Sequence, residues 1–271
     1  MTSIVGQNRL LNVISNYKQN NTLPKTLLLL GEKGCGKHTF AKFIAQQFEL
    51  EYKEIDEQVT AADLDSYLLS TIDTLYVIDL NNFAEKQQNQ FLKFIEEPTK
   101  SVYVVLLANS EAGVLNTVLN RSIKHHFEAY TDEQLKQLVN TTLPAQAYEI
   151  FKTPGKLLNL TEDSFKQVLD LAEKLVYKMH TATFANALVI STKINYKDLF
   201  DKVDLNLFLD AVEFVALTDY KTNNNKQSLD IFLTTIKFKQ LASLGNLIKE
   251  TLMLNYLSTV WEVVHNDISR A

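Results

Sequence analysis

The apolar positions of this chain change their spacing near residue 131, and that change divides it. Before it, short apolar runs alternate with stripes of helical period. Leu10, Leu11, Ile14 and Tyr17 form such a stripe over residues 9 to 20, behind the turn-like Val5-Gly6-Gln7. Leu27 to Leu30 predicts a buried strand, and Phe40 to Ala45 a helix. A short strand over Glu51 to Asp56 and a helix through Leu64, Leu68 and Leu69 follow. Thr74 to Asp79 is the next strand; the helix after it runs from about 85 to 97, with Phe91, Leu92 and Ile95 inward, and stops at Pro98. Val102 to Leu107 is a buried strand, Val114 to Leu119 a helix, and Ile123 to Phe127 the last strand. Strands and helices in alternation predict a parallel, five-stranded α/β sheet.

From Thr131 onward the pattern is helical only. Thr131-Asp132-Glu133-Gln134 is a capping box, with Thr131 as the cap and Gln134 reaching back, opening a helix through Leu135 and Leu138. Phe151 to Leu158 turns the chain into another helix. Residues from about 161 to 271 read as long helices broken near Lys193-Ile194-Asn195 and at Thr222 to Lys226. Their stripes include Phe208, Val212, Val215 and Leu217, then Leu254, Leu257, Val260, Trp261 and Val264. Such stripes fit either the core of a bundle or a contact between subunits.

At 271 residues the chain suits two or three units rather than one core. Its net charge of −5 provides no general basic footprint, so DNA contact would come from a local patch or from assembled partners. Cys35 is the single cysteine, which excludes an intramolecular disulfide and a multi-cysteine zinc site. The N-terminal residues lack a basic stretch followed by an apolar core, and the apolar runs are too short to span a bilayer. The expectation is a cytoplasmic protein without membrane contact.

The chemistry centres on Gly31-Glu32-Lys33-Gly34-Cys35-Gly36-Lys37, placed between a strand and a helix. Glycines at Gly31, Gly34 and Gly36 let backbone N–H groups turn around an anion, the helix N-terminus adds partial positive charge, and Lys37 supplies an ammonium for the outer phosphates. A phosphate loop ordinarily continues with Ser or Thr, whose hydroxyl binds Mg²⁺; this chain has His38, and imidazole is a poor ligand for so hard a cation. Thr39 lies one residue, about 100°, further around the helix and would need a shifted backbone to substitute. The pattern points to a nucleotide-binding ancestry and does not decide present-day binding.

Asp79 closes the strand; Asp is an ordinary turn residue there, but one βα unit after the loop it points to the Walker B place that holds a magnesium-bound water. Hydrolysing proteins of this class place a Glu next, and here Leu80 accepts no proton. Asn109, at the tip of the following strand, fits either a residue that orients water or the terminal phosphate, or an ordinary Asn turn. His125 and His126 point to opposite faces of a strand and do not make a joint metal site; Glu96 and Glu97, about 100° apart on a helix, do not flank one bond.

Four stretches carry a resemblance: Val5-Gly6-Gln7, the loop GEKGCGKHTF, the block from Asn89 to Pro98 (NQFLKFIEEP), and Leu119-Asn120-Arg121-Ser122. Together they resemble the clamp-loader branch of the AAA+ ATPases, most nearly its bacterial DNA polymerase III delta prime subunits. The likeness covers about residues 1 to 160, and Asn120 and Ser122 replace the flanks of the family's Ser-Arg-Cys motif. It implies an AAA+ α/β module over 1–130, a small helical lid over 131–175 and a helical collar over 176–271 through which subunits assemble. It also implies a complex with motor (tau/gamma) and delta subunits that opens a sliding clamp onto primed DNA. Delta prime members generally do not hydrolyse ATP and present an arginine, here Arg121, to a neighbour's nucleotide. Lys156, in Thr153-Pro154-Gly155-Lys156, would lie near the sensor 2 position. The family often carries a four-cysteine zinc module between the loop and Walker B, and residues 40 to 71 hold no cysteine, so zinc is not expected.

The first reading is therefore a non-catalytic assembly subunit with a degenerate nucleotide site, holding ATP and Mg²⁺ weakly or not at all. The alternative is an active AAA+ motor or remodeller. A P-loop kinase would leave the Glu-Glu-Pro block and the helical tail unexplained.

Overall fold

The computed structural model describes residues 4–139, 142–158, 160–181, 183, 204–243 and 249–266. The chain forms two compact units, one of Met1–Val139 with Lys152–Gly155 and one of Asn140–Phe151 with Lys156–Ala271.

In the first unit, five strands lie in the order β2-β3-β4-β1-β5: β1 (Thr26–Leu30), β2 (Glu51–Ile55), β3 (Thr74–Asp79), β4 (Val102–Ala108) and β5 (Ile123–His126). Every pairing is parallel, with Leu28 opposite Leu106 and Ile78 opposite that same residue on the other side. A parallel sheet must be covered on both faces, which is why β1, β3 and β4 are almost continuously apolar. One face, with Leu28, Leu30, Ile78 and Leu106, packs under α3 (Ala61–Leu68), the turn between α4 (Glu85–Gln88) and α5 (Leu92–Glu96), α5 itself and α6 (Asn116–Leu119) through Leu64, Phe91, Phe94 and Val118. The other, with Leu27, Leu29, Val77 and Leu107, receives Ile14 of α1 (Asn8–Asn20) and Phe40, Ala41 and Ile44 of α2 (Lys37–Gln47). Strand β2, at the edge, is mostly exposed and correspondingly charged.

The helix expected over about 85 to 97 is tightened in the middle: α4 and α5 are joined by a 3₁₀ turn at Asn89–Phe91. The cause is packing, since the turn brings Gln88 and Phe91, three residues apart, inward together, and both are buried. The Gln88 amide then donates to Gly113 O (2.8 Å) and accepts from Leu115 N (3.1 Å). Val114 lies before α6 rather than within it. The capping box closes on α7 (Asp132–Leu138) as the sequence predicts, with Thr131 Oγ1 accepting from Gln134 N and Gln134 Oε1 from Thr131 N. Gln7, buried before α1, donates to Glu128 O and accepts from Glu128 N, both at 2.8 Å, so the start of the module is tied to the chain leaving its last strand.

The second unit is helical among the described residues. Besides α8 (Ala145–Ile150), and Leu157 at the end of α9 (Pro154–Leu157), it contains α10 (Glu162–Thr181), α11 (Leu205–Asn223), α12 (Lys226–Ser243) and α13 (Lys249–Asn266). α11 packs against α10 and α12, and α13 returns against α12 and α10. The core takes Phe165, Val168, Ala172 and Met179 from α10, Phe208, Val212 and Ala216 from α11, Ile231 from α12, and Tyr256, Leu257, Val260 and Val264 from α13. Val215 and Leu217 are half-buried beside Ala216, and Leu254 faces outward. The polar run at 222 to 226 is the break between α11 and α12, closed by Asn224 in the left-handed conformation. The break expected near 193 to 195 lies outside the described residues. No described helix is long and apolar enough to cross a membrane.

Candidate functional site

β1 delivers Gly31 to the carboxyl edge of the sheet between β4 and β5, where the strand order reverses and α/β sheets place their ligands. The loop that follows has its carbonyls held one after another. Lys37 Nζ donates to Gly31 O (2.6 Å) and Glu32 O (3.2 Å). Thr153 Oγ1 donates to Lys33 O (3.2 Å), Gly155 N to Gly34 O (2.9 Å), Tyr130 Oη to Cys35 O (2.8 Å) and Phe40 N to Gly36 O (2.9 Å). Gly34 has φ +85°, and a β-carbon there would stand 3.1 Å from Gly155 Cα; a β-carbon on Gly155 would stand 2.6 Å from Gly34 Cα. Two backbones therefore touch, and only glycine fits at either position.

Lys37 is buried, and burial lowers its pKa from the ordinary lysine value. Besides the two loop carbonyls its ammonium meets Asn109 Oδ1 (3.2 Å). Asn109 stands at the tip of β4, between β1 and β3, and its backbone N–H donates to Asn81 Oδ1 (3.0 Å). Asn81 in turn donates its backbone N–H to Asp79 Oδ1 (3.1 Å). The loop lysine, the β4 asparagine and the β3 aspartate are thus linked through Asn81.

His38 completes the chain of contacts from the other side. Its Nε2 lies 3.3 Å from Asp79 Oδ2 and its Nδ1 3.6 Å from Glu54 Oε1 at the end of β2. With both ring nitrogens facing carboxylates, the His38 pKa is raised from the ordinary histidine value, the hydrogen bond to Asp79 being the main reason. Burial alone would raise the Asp79 carboxyl, yet hydrogen bonds from His38 and Asn81 hold it below the usual range. Glu54 is likewise held low, chiefly by the Tyr52 hydroxyl and then by His38 and Lys42. The His38 imidazole thus lies between the first turn of α2 and the β3 carboxylate, in the position after the loop lysine where a phosphate loop ordinarily has a hydroxyl.

Thr39 is exposed on α2, and the α2 side chain that reaches Asp79 is His38. Leu80 is buried among Leu28, Leu30, Ile78 and Phe83 and belongs to the core. Arg121, just past α6, donates from Nη1 to Thr117 O (3.0 Å) and from Nη2 to Glu96 Oε1 (3.2 Å). Lys156, in the second unit, is largely buried with Nζ 2.7 Å from Asp210 Oδ2.

Several of these participants have no motif in the sequence. Glu54 is the last polar residue of an edge strand, Asn81 a turn residue two places after Asp79, and Tyr130 and Thr153 are distant in sequence from the loop they hold. Only the strand-end position of Glu54 offers a signal, because a residue at the carboxyl end of a parallel strand faces the ligand edge.

Residues 51–131, from β2 to the start of α7, match the family described as DNA polymerase III, delta subunit. The match spans 81 of the 271 residues, so it is this segment that resembles the family. The matched segment contains Asp79, the Glu-Glu-Pro block, Asn109 and Arg121, while the loop from Gly31 to Lys37 precedes it. Among solved structures, the RuvB Holliday junction branch migration motor of Thermotoga maritima is 17% identical with a TM-score of 0.51, over 76% of this chain and 88% of that one. A variant of that motor gives 16% and 0.50 over the same shares. At that identity the likeness shows the AAA+ fold alone. A DNA polymerase III gamma subunit-related protein of Thermotoga maritima is 14% identical over 93% of this chain and 99% of that one, at a TM-score of 0.46 that carries no weight here. No curated protein matches the sequence.

Proposed function

We propose that this chain is the stator, of delta prime type, in a DNA polymerase III clamp loader. It does not itself hydrolyse ATP, and it offers Arg121 to the nucleotide of a neighbouring ATPase subunit. The observation that supports this best is His38, bridging Asp79 and Glu54 where a metal-binding hydroxyl would stand. Leu80, packed in the core, supplies no general base, and loss of a proton acceptor commonly costs about 10² to 10⁴ in rate.

In this reading Gly31, Gly34, Gly36, Lys37, Thr39, Asp79, Asn109 and Lys156 mark a degenerate nucleotide site. Residues 131–175 serve as the lid and 176–271 as the collar for assembly with motor and delta subunits. The complex works in the cytoplasm and brings the sliding clamp to primed DNA.

Phosphate release by the pure chain, with and without primed DNA, tests it. The expected rate is far below the usual enzyme range, and turnover near about 1 s⁻¹ would return the chain to the motors. In the assembled loader Arg121→Ala should slow hydrolysis at the one adjacent site by about 10³-fold or more, as for other arginines supplied in trans.

A further inference from the structure

Arg121 is more constrained than an ordinary surface arginine, and its constraints come from the Glu-Glu-Pro block. Its guanidinium is held at two points on two elements, Thr117 O on its own helix and Glu96 Oε1 at the end of α5. Both supports are rigidly based. Phe94 and Ile95, beside Glu96, are buried, and Ile95 O accepts from the buried Thr26 hydroxyl at the start of β1 (3.0 Å). Val118 is buried on the other side, and its carbonyl accepts from Arg121 N (3.1 Å) and Ser122 Oγ (2.9 Å). Gln88, at the end of α4, pins the turn entering α6 through Gly113 O and Leu115 N. Gln88 at the end of α4 and Glu96 at the end of α5 thus fix, respectively, the turn into the helix that carries the arginine and the direction of its side chain.

We propose that Glu96 is a positioning residue for Arg121, holding the guanidinium pointed before the neighbour's nucleotide arrives. The proposal rests on the trans reading of Arg121 given above. An arginine is rich in rotamers, and ordering it at the moment of reaction subtracts from the charge stabilisation it gives; a carboxylate that orders it beforehand removes that cost. Glu96 touches no reacting atom and acts only through the arginine. A merely structural ion pair between half-exposed side chains would leave chemistry unchanged and alter stability slightly.

The test is single-turnover hydrolysis at the adjacent site in a clamp loader reconstituted from this full chain and the other subunits of its complex, with clamp and primed DNA. Glu96→Ala should slow the step about 3- to 10-fold at saturating ATP, with assembly and apparent ATP affinity unchanged, in line with one immobilised side chain. Glu96→Gln, which keeps an acceptor oxygen, should regain most of that loss. In the Arg121→Ala background Glu96→Ala should add nothing. A full rate in Glu96→Ala alongside a slow Arg121→Ala would overturn the positioning role and leave the trans arginine standing. A full rate in Arg121→Ala would remove the trans reading, and this inference with it. An equal Glu96→Ala loss with and without Arg121 would make the glutamate structural.

Discussion

Asp210 on α11 meets two lysines from two other helices of the helical unit. Its side chain is 4% exposed, with Lys239 Nζ of α12 at 2.6 Å from Oδ1 and Lys156 Nζ of α9 at 2.7 Å from Oδ2. The Lys156 contact is close but out of line for a hydrogen bond, so it acts through charge. Glu213, one turn along α11, is the second partner of Lys239. Burial opposes the Lys239 charge, yet Asp210 and Glu213 together raise its pKa above the ordinary lysine value. Asp210→Leu removes the carboxylate common to three helices. Breaking a buried pair by deleting one member costs about 3–5 kcal/mol; because Lys239 keeps Glu213, the lower end, about 3–4 kcal/mol, is expected. For a unit of this size that is a fall of roughly 10–14 °C in Tm. Thermal and urea unfolding of the full chain, followed by circular dichroism, measure it. The triple variant Lys156→Met/Asp210→Leu/Lys239→Met should recover most of the loss, since apolar side chains often replace a buried ion cluster without net cost. If Asp210→Leu alone melts within about 3 °C of the parent, the lysines relax into water and the cluster does not hold the helices together.

The His38 bridge predicts a pH dependence of defined sign. Its folded pKa is raised, so its contribution is whole below the unfolded value of about 6.5 and is lost as pH rises through the folded pKa. Asp79 and Glu54, held low, contribute above the unfolded carboxylate range and lose their share only as pH falls through their lowered values. The stability gap between parent and His38→Ala, measured in urea, should therefore narrow from pH 6 to pH 9; a gap that widens contradicts the bridge. His38→Thr should make nucleotide binding depend on Mg²⁺ in calorimetry without bringing hydrolysis, because Leu80 remains in the core; turnover near about 1 s⁻¹ would show that hydrolysis needs no residue at position 80. Gly155→Ala sets a methyl 2.6 Å from Gly34 Cα and should cost about 1–3 kcal/mol in urea unfolding, whereas a neutral result would mean that the segment from 152 to 155 does not press on the loop.

How much of this could be read in advance depended on distance along the chain. The five strands follow from local apolar runs, and the capping box at Thr131 from four adjacent residues, because both are decided by neighbours in sequence. The tightened turn at Asn89–Phe91 was not legible, since its cause is a buried amide that bonds a loop about 25 residues away. The same holds at the site. The loop and Asp79 are local signatures, but that His38 meets Asp79 and Glu54, that Asn81 links Asp79 to Asn109, and that Thr153, Gly155 and Tyr130 hold the loop carbonyls are matters of three-dimensional assembly. The outward turn of Leu254 depends on where α13 meets α12 and α10, which the stripe alone does not specify.

The loop has a reason to keep its shape that does not depend on a bound ligand. Its carbonyls are bonded by Tyr130, Thr153 and Gly155, so the loop is a joint between β1, the chain leaving β5 and the segment at 152–155. Unmaking it would strand several buried acceptors, each costing about 1–3 kcal/mol, whether or not a nucleotide is bound. Asp79, partly buried at the carboxyl edge, has its own partner in His38. In the proposed reading, an imidazole in place of a hydroxyl removes a ligand for Mg²⁺ and supplies Asp79 with a partner in one step. The proposed stator role calls for a module whose geometry is fixed by its own side chains, with Arg121 held in a set direction on the face supported by Glu96.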